Sequence, residues 1–184
     1  MQQSIKKREK SRRNFKLRFL IASFLGTKNK HNFLRKHDVF GYMGKNVLFQ
    51  PRYLPNETKQ VKLHDNVKVA ADVTFYTHDA INMMFAAKDG EPYHPHTSCI
   101  EIHENCFIGG HSILVGDISI GPNSIVAAGS VVVKDVPQGV IVGGNPAKVI
   151  GSFESLHEKR QSEKAAMGEM PSVEQMWDRF YSRK

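Results

Sequence analysis

The chain has 184 residues, 40% of them hydrophobic, enough for one well-buried domain with appendages and too little for a second full one. Its formal charge of +8 is concentrated: residues 1–30 carry ten Lys or Arg and one Glu, whereas residues 31–184 hold sixteen basic side chains against seventeen acidic ones. The two cysteines, Cys99 and Cys106, offer neither a disulfide framework nor a CxxC spacing, so a disulfide-stapled fold is excluded and a reducing, cytoplasmic setting is expected.

Residues 6–18, KKREKSRRNFKLR, run into the apolar FLIASFLG. Leu17, Leu20, Ile21 and Phe24 fall at i, i+3, i+4 and i+7, so the spacing predicts a helix over about residues 11–25 with an apolar stripe among basic neighbours. Three uses fit such a helix. It can pack on the flank of the body and keep its charges in water, attach peripherally to an anionic membrane surface through residues 1–30, or bind nucleic acid. The last lacks any base-reading motif or interleaved aromatics, and nucleic acid is not the expected partner. A secretion signal does not fit either, because Lys28 and Lys30 follow the short apolar run where small cleavage-site residues belong. Nowhere does the chain approach the ~20 apolar residues of a membrane span.

From Val39 a six-residue phase begins, with Met43 and Phe49 six apart and Val47 between them. Residues 50–60 break it, and PRYLPNETK reads as a loop bulging from a corner. The phase resumes at Leu63, Val69 and Phe75, is lost over residues 76–99, and then holds without a slip through Ile102, Ile108, Leu114, Ile120, Val126 and Val132. Four residues after each of these stand Cys106, Ser112, Ile118, Ser124, Ser130 and Val136, most of them small. A six-residue unit cannot bury its apolar side chain alone and must stack on a neighbour, which makes the body a solenoid; strands of a sandwich would not keep so exact a phase. The excursion at residues 76–99 holds His78, His94 and His96, and a long insertion that a solenoid does not need for stability is where function is expected.

After Gly151, FESLHEKRQSEKAAMGEM reads as a polar helix, and Ser172 to Gln175 forms a capping box that starts another. Val173, Met176, Trp177 and Phe180 share one face of that helix, which is expected to cover the open end of the solenoid or a neighbouring subunit. The division is thus a basic, helical arm at 1–37, a repeat body at 38–151 and a helical extension at 152–184.

The segment AAGSVVVKDVPQGVIVGGNPAKVIG (127–151) and the run Tyr76-Thr77-His78-Asp79 resemble the hexapeptide-repeat acyltransferases, in particular the maltose and galactoside acetyltransferases and the sugar O-acetyltransferases of polysaccharide clusters. The resemblance implies a mainly β protein, a left-handed parallel β-helix, with the basic N-terminal helix, the long loop excursion and C-terminal helices as additions. It implies a homotrimer with inter-subunit active sites, acetyl-CoA as acyl donor, and no metal. It implies an O-acetyltransferase acting on a carbohydrate hydroxyl, in cell-surface polysaccharide or glycan biosynthesis; the cysteine usage adds a cytoplasmic place, and the basic arm a peripheral one at the inner face of the membrane. A small-molecule or xenobiotic acetyltransferase of the same fold and a non-catalytic β-helix binding or assembly module are the alternatives.

By the same resemblance His78 is the general base that deprotonates the acceptor, which attacks the thioester directly. CoA contacts fall on Gly110, Ala128, Val133, Lys134 and Lys148, and Asp79, His94, His96 and His111 fall around the acceptor. His111 reads equally as packing within the coil. The physical reading agrees for the donor: small residues let a pantetheine arm lie against backbone, and Lys134 and Lys148 offer charge to nucleotide phosphates. Asp79 departs from the proline of the maltose and galactoside enzymes, and the loop is longer, which leaves the acceptor's identity open. The γ-class carbonic anhydrases share the solenoid, but their pair of histidines five apart is missing here, so zinc is not expected.

Overall fold

Successive coils of the chain lay down three parallel sheets. The first contains β1 (Tyr42–Met43), β3 (Val61–Leu63), β6 (Ile100–Ile102) and β9 (Ile118–Ile120). The second contains β2 (Leu48–Phe49), β4 (Lys68–Val69), β7 (Phe107–Ile108), β10 (Ile125–Val126) and β12 (Val140–Gly143). The third contains β5 (Thr74–Tyr76), β8 (Ile113–Val115) and β11 (Val131–Val132). The structure, a computed structural model, describes the backbone of residues 2–167 and 170–183 and the side chains of 13–164 and 170–183.

The six-residue phase is explained by the register. Met43, Leu63, Ile102 and Ile120 stack in one interior column; Phe49, Val69, Ile108, Val126 and Val142 form a second; Phe75, Leu114 and Val132 form the third. Most are fully buried, and each such side chain contributes about 1.5–3 kcal/mol by leaving water. The position four residues on is buried as well, and where it is serine or cysteine its polar atom reaches a carbonyl at the corner. Ser112 Oγ donates to the Ala127 carbonyl at 3.0 Å, Ser124 Oγ to that of Pro137 at 2.8 Å, and Ser130 Oγ to that of Ala127 at 2.6 Å. Cys106 Sγ donates to Gly121 at 3.0 Å, and burial pushes this thiol up to about 11, so it stays protonated.

One corner is closed by Asn46, Asn66, Asn105 and Asn123, all left-handed, with φ of 52°, 61°, 59° and 53°. Asparagine tolerates this region better than other residues with a Cβ, and its amide can bond its own kind. Each side chain donates Nδ2–H to the Oδ1 of the next at 2.9 Å, making a ladder up the solenoid. The steps of that ladder are 20, 39 and 18 residues, so a bare coil takes 18 and the two larger steps count the residues inserted into the earlier coils.

The basic arm is two helices, α1 (Gln2–Phe24) and α2 (Thr27–Lys36), rather than one helix over 11–25. The side chains of residues 6–12 lie outside the described residues. Of the stripe Leu17, Leu20, Ile21 and Phe24, only Leu20 is half-buried, beside a cavity that Lys30, Gln50 and Arg52 also line; Phe19 is buried and Phe15 half-buried instead, packed on Phe33 of α2 with ring centroids 5.9 and 5.1 Å apart. Phe19 and Leu34 join the same core as Val39 and Phe40. Strands β1 and β2 are the free edges of their sheets, and α2 satisfies the groups exposed there. Arg35 donates to the Gly44 carbonyl at 2.6 Å, the buried Lys30 ammonium to those of Gln50 and Pro51 at 2.7 and 3.1 Å, and the Phe49 N–H donates to His31 Nε2 at 3.0 Å. Burial, with Arg52 nearby, holds Lys30 below the usual lysine value. Burial, with Lys30 nearby, lowers His31.

The excursion contains a helix, α3 (Ile81–Asp89), that the spacing did not show; it buries no residue. At the far end the GNPAK segment (144–148) turns the chain back into an antiparallel strand, β13 (Lys148–Ser152), on β12. The polar helix α4 (Phe153–Met167) and the capped helix α5 (Val173–Tyr181) follow, and the reciprocal Ser172–Gln175 capping box is present. Helix α5 does not cover the open end: Val173, Met176, Trp177 and Phe180 stay exposed, and the end that is covered is the first coil, by α2.

The titration of His31 gives a test. With its native value below the ordinary 6.5, the unfolded chain takes this proton first, so its contribution is intact above about pH 6.5 and is lost as pH falls further. His31→Gln keeps an acceptor for Phe49 and cannot titrate. The melting temperature of the variant should fall less than that of the parent between about pH 7.5 and about pH 5.5. Parallel pH profiles for the two proteins would contradict this docking.

Candidate active site

Two insertions meet at the corner between the third and first sheets. Glu57, in the first, lies one coil before Thr77, at the same 20-residue step that separates Asn46 from Asn66. The buried Thr77 donates Oγ1–H to Glu57 Oε2 at 2.9 Å, and His78 Nδ1 lies 2.8 Å from the same oxygen. A carboxylate oxygen only accepts, so Nδ1 carries the proton and Nε2 keeps its lone pair for another group. The His78 side chain is 42% exposed, so that lone pair is open to a ligand.

The excursion leaves and returns at this histidine. His78 and Thr97 form an antiparallel bridge, and Ser98 N–H donates to the Thr77 carbonyl at 2.8 Å. Gly116 lies against the return strand so closely that a Cβ there would stand 1.5 Å from Ser98 Oγ, which fixes the residue as glycine. Asp79 starts α3 by accepting the Ile81 N–H at 2.8 Å and holds His96 Nδ1 at 3.0 Å. His94 is tied in through its carbonyl, which accepts from Asn82 at 2.6 Å. The structure thus ties Asp79 to His96 and to the start of α3, next to His78 in the chain, with His94 held to α3 through Asn82.

His111 belongs elsewhere. It has φ of 59° at a second left-handed corner, where Asp72 (φ 59°) and Gly129 (φ 71°) occupy the equivalent positions of neighbouring coils, and its ring lies 3.9 Å from Asp72. Gly110 and Ala128 flank that corner, joined by the Gly129 N–H to the Gly110 carbonyl at 2.9 Å. Beyond them the outer surface of the third sheet presents Tyr76 paired with Val115, and the register continues to Val133 and Lys134. The fold-back segment closes on this sheet, with Val131 N–H donating to Gly144 at 2.9 Å and Ala147 N–H to Val131 at 2.8 Å, which sets Lys148 beside it. The five residues expected at the donor therefore span the third sheet, from the Gly110–Ala128 corner before its strands to Val133 and Lys134 after them, with Lys148 at the start of β13.

Sequence reading missed Glu57. The signal was available, since one coil step back from Thr77 lands on it, but the length of that step depends on the insertion. His64, His103 and Glu104 also come together, with ligand atoms within 4.8 Å of one another. The two imidazoles are stacked at 16° with centroids 5.0 Å apart, however, which sets their in-plane lone pairs side by side instead of converging on a cation. His64 instead contacts Glu101 at 2.8 Å, and that hydrogen bond lowers the Glu101 carboxyl.

The tautomer can be read directly. Nitrogen NMR of His78 near pH 8 should show protonated Nδ1 and bare Nε2, and Glu57→Gln should erode that preference. A bare Nδ1 in the parent would remove Glu57 from the site.

The repeat model described as bacterial transferase hexapeptide (six repeats) matches residues 100–134. The galactoside O-acetyltransferase of Escherichia coli K12 is 30% identical over 137 residues, covering 71% of this chain and 66% of that enzyme. A hexapeptide-repeat-containing acetyltransferase of Vibrio cholerae, solved with acetyl coenzyme A, superposes with a TM-score of 0.54 at 26% identity, over 78% of this chain and 88% of that one. A maltose O-acetyltransferase of Clostridium difficile 630 gives 0.53 at 26% identity, over 68% and 75%. Of two further curated relatives the chain spans 54% and 24%, about half their length or less. The period, the stacked coils and these similarities agree: the chain belongs to the hexapeptide-repeat acetyltransferases.

Proposed function

We propose that the chain is an acetyl-CoA-dependent O-acetyltransferase whose acceptor is a carbohydrate hydroxyl, in the synthesis of a cell-surface glycan. The observation that carries this reading is the pairing of Glu57 with His78 at an open mouth beside the donor edge. Nε2 of His78 takes the acceptor's proton as its oxygen bonds to the thioester carbonyl carbon; the C–S bond then breaks, and the imidazolium returns the proton to the thiolate. Glu57 holds the ring in the required tautomer and balances the transient cation, as a carboxylate does beside an imidazole base. The buried Thr77 hydroxyl fixes that carboxylate from its other side.

The donor would lie along the Gly110–Ala128 corner and Val133, with Lys134 and Lys148 near its phosphates. Asp79, His94 and His96 remain the residues assigned to the acceptor side, with Asp79 and His96 the pair that shapes the mouth, whereas His111, expected there from the sequence, sits at the Gly110–Ala128 corner of the donor instead. The relatives named for galactoside and maltose support a sugar acceptor. In the single chain the site has one open side, and α3 and α5 expose Met83, Met84, Met176 and Trp177. This fits a homotrimer of left-handed parallel β-helices in which a neighbouring copy supplies the second wall, with the body at 38–151 as its unit, working in the cytoplasm where acetyl-CoA is available.

His78→Ala should lower turnover about 10²–10⁴-fold with CoA affinity unchanged, measured by acetyl transfer to a panel of free and lipid-linked sugars. Full activity would place the base elsewhere; no transfer and no CoA binding by the parent would make the chain a binding module. Lys134→Ala and Lys148→Ala should weaken CoA about tenfold more than acetyl-pantetheine, which lacks the nucleotide phosphates. Equal weakening of both donors would show a structural effect.

A further inference from the structure

Helix α1 carries two apolar faces, and the body uses only one. Phe15 and Phe19 turn inward onto Phe33, while on the opposite side Leu17, Ile21 and Phe24 are 56%, 52% and 91% exposed, followed by Leu25 at 66% in the turn to α2. The outward face is not a swinging tail. Lys16 Nζ donates to Asn56 Oδ1 at 2.9 Å, and Lys30, His31 and Arg35 fasten α2 to the first coil. An exposed, rigidly presented apolar strip of this kind marks a surface that something covers.

Charge decides what covers it. Arg13 and Arg18 on the same helix and Lys28 in the first turn of α2 are exposed, and among the described residues none of them is in an ion pair. Residues 1–30 carry ten basic side chains and one acid, while the rest of the chain is nearly neutral. A second copy would bring the same cations against each other, so the complement must be anionic and apolar at once, and an anionic lipid surface is both. Among the described residues no helix is long and apolar enough to cross a membrane, so the association is peripheral.

We propose that the outward face of α1 seats this protein on an anionic bilayer, with Leu17, Ile21, Phe24 and Leu25 in the headgroup region and the basic side chains against lipid phosphates. Through Lys16 and Asn56 the seated helix lies one residue from Glu57, so seating also brings the mouth at His78 to the lipid surface. That consequence rests on the proposed activity. The seating itself does not.

The test is sedimentation of the full chain with vesicles of phosphatidylcholine alone and of phosphatidylcholine mixed with phosphatidylglycerol. Binding should occur only to the mixed vesicles and should fall at least about tenfold toward 0.5 M salt, where the Debye length drops to a few ångströms. The triple variant Leu17→Ser, Ile21→Ser, Phe24→Ser should also lose binding about tenfold at low salt while keeping the parent's melting temperature, because the side chains it removes are exposed. Equal binding to both vesicles, no binding to either, unchanged binding by the variant, or a variant whose only change is a smaller oligomeric mass would each overturn the proposal. None of these readouts needs acetyl transfer, so loss of the proposed activity and loss of lipid binding are told apart.

Discussion

The structure depends on coil-to-coil register. Each coil lends its backbone groups to the next, and a slip of one residue would turn every interior side chain outward. The three interior columns, the buried serines and the asparagine ladder all enforce one alignment by different chemistry: apolar area, hydroxyl-to-carbonyl bonds, and amide-to-amide bonds at left-handed corners. The corners allow few residues, which is why asparagine, aspartate, histidine and glycine fill them and why His111 stands where it does.

A scaffold so constrained within a coil is free between coils. Insertions can leave at a corner without disturbing the stack, provided they return in register, and the ladder steps of 20 and 39 show two that do. Both contribute to one place. The first carries Glu57 and the second begins at His78, and because their coils are adjacent, a carboxylate and an imidazole far apart in sequence come within 2.8 Å. Positioning therefore comes from the solenoid and chemistry from the loops.

How much of this was legible follows from the kind of signal each element carries. The solenoid was readable because its period repeats many times, so local exceptions average out. Helix α5 was readable because a capping box is a short-range signature. Helix α3 was not: its sequence, INMMFAAKD, is apolar on most sides and gives no contrast between faces. The arm was misread in a more instructive way. Its contrast comes from two faces, and spacing alone selected Leu17, Leu20, Ile21 and Phe24, whereas the aromatic pair Phe15 and Phe19 met the matching surface of Phe33. At the candidate site the motif singles out His78, whose role is proposed, but it does not point to Glu57, since linking that residue to Thr77 requires the coil step and the motif does not contain it.

The two ends of the solenoid are treated unequally, and this bears on how the site is completed. At the first coil, free edge strands are met by donors and acceptors from α2, which explains part of the arm's basic character: the exposed carbonyls of Met43 through Pro51 call for cationic donors, and Lys30 and Arg35 supply them. Among the described residues Arg13 and Arg18 have no such duty, and they share α1 with the outward apolar strip. At the last coil, β13 closes the second sheet by folding back, α4 sets Phe153 and His157 over the corner of Asn66, Asn105 and Asn123, and α5 leaves its apolar face exposed. A chain that seals one end of its core within itself yet leaves His78, α3 and α5 exposed keeps apolar surface without a partner, and the proposed reaction requires such surface, because a further wall has to close over acceptor and donor.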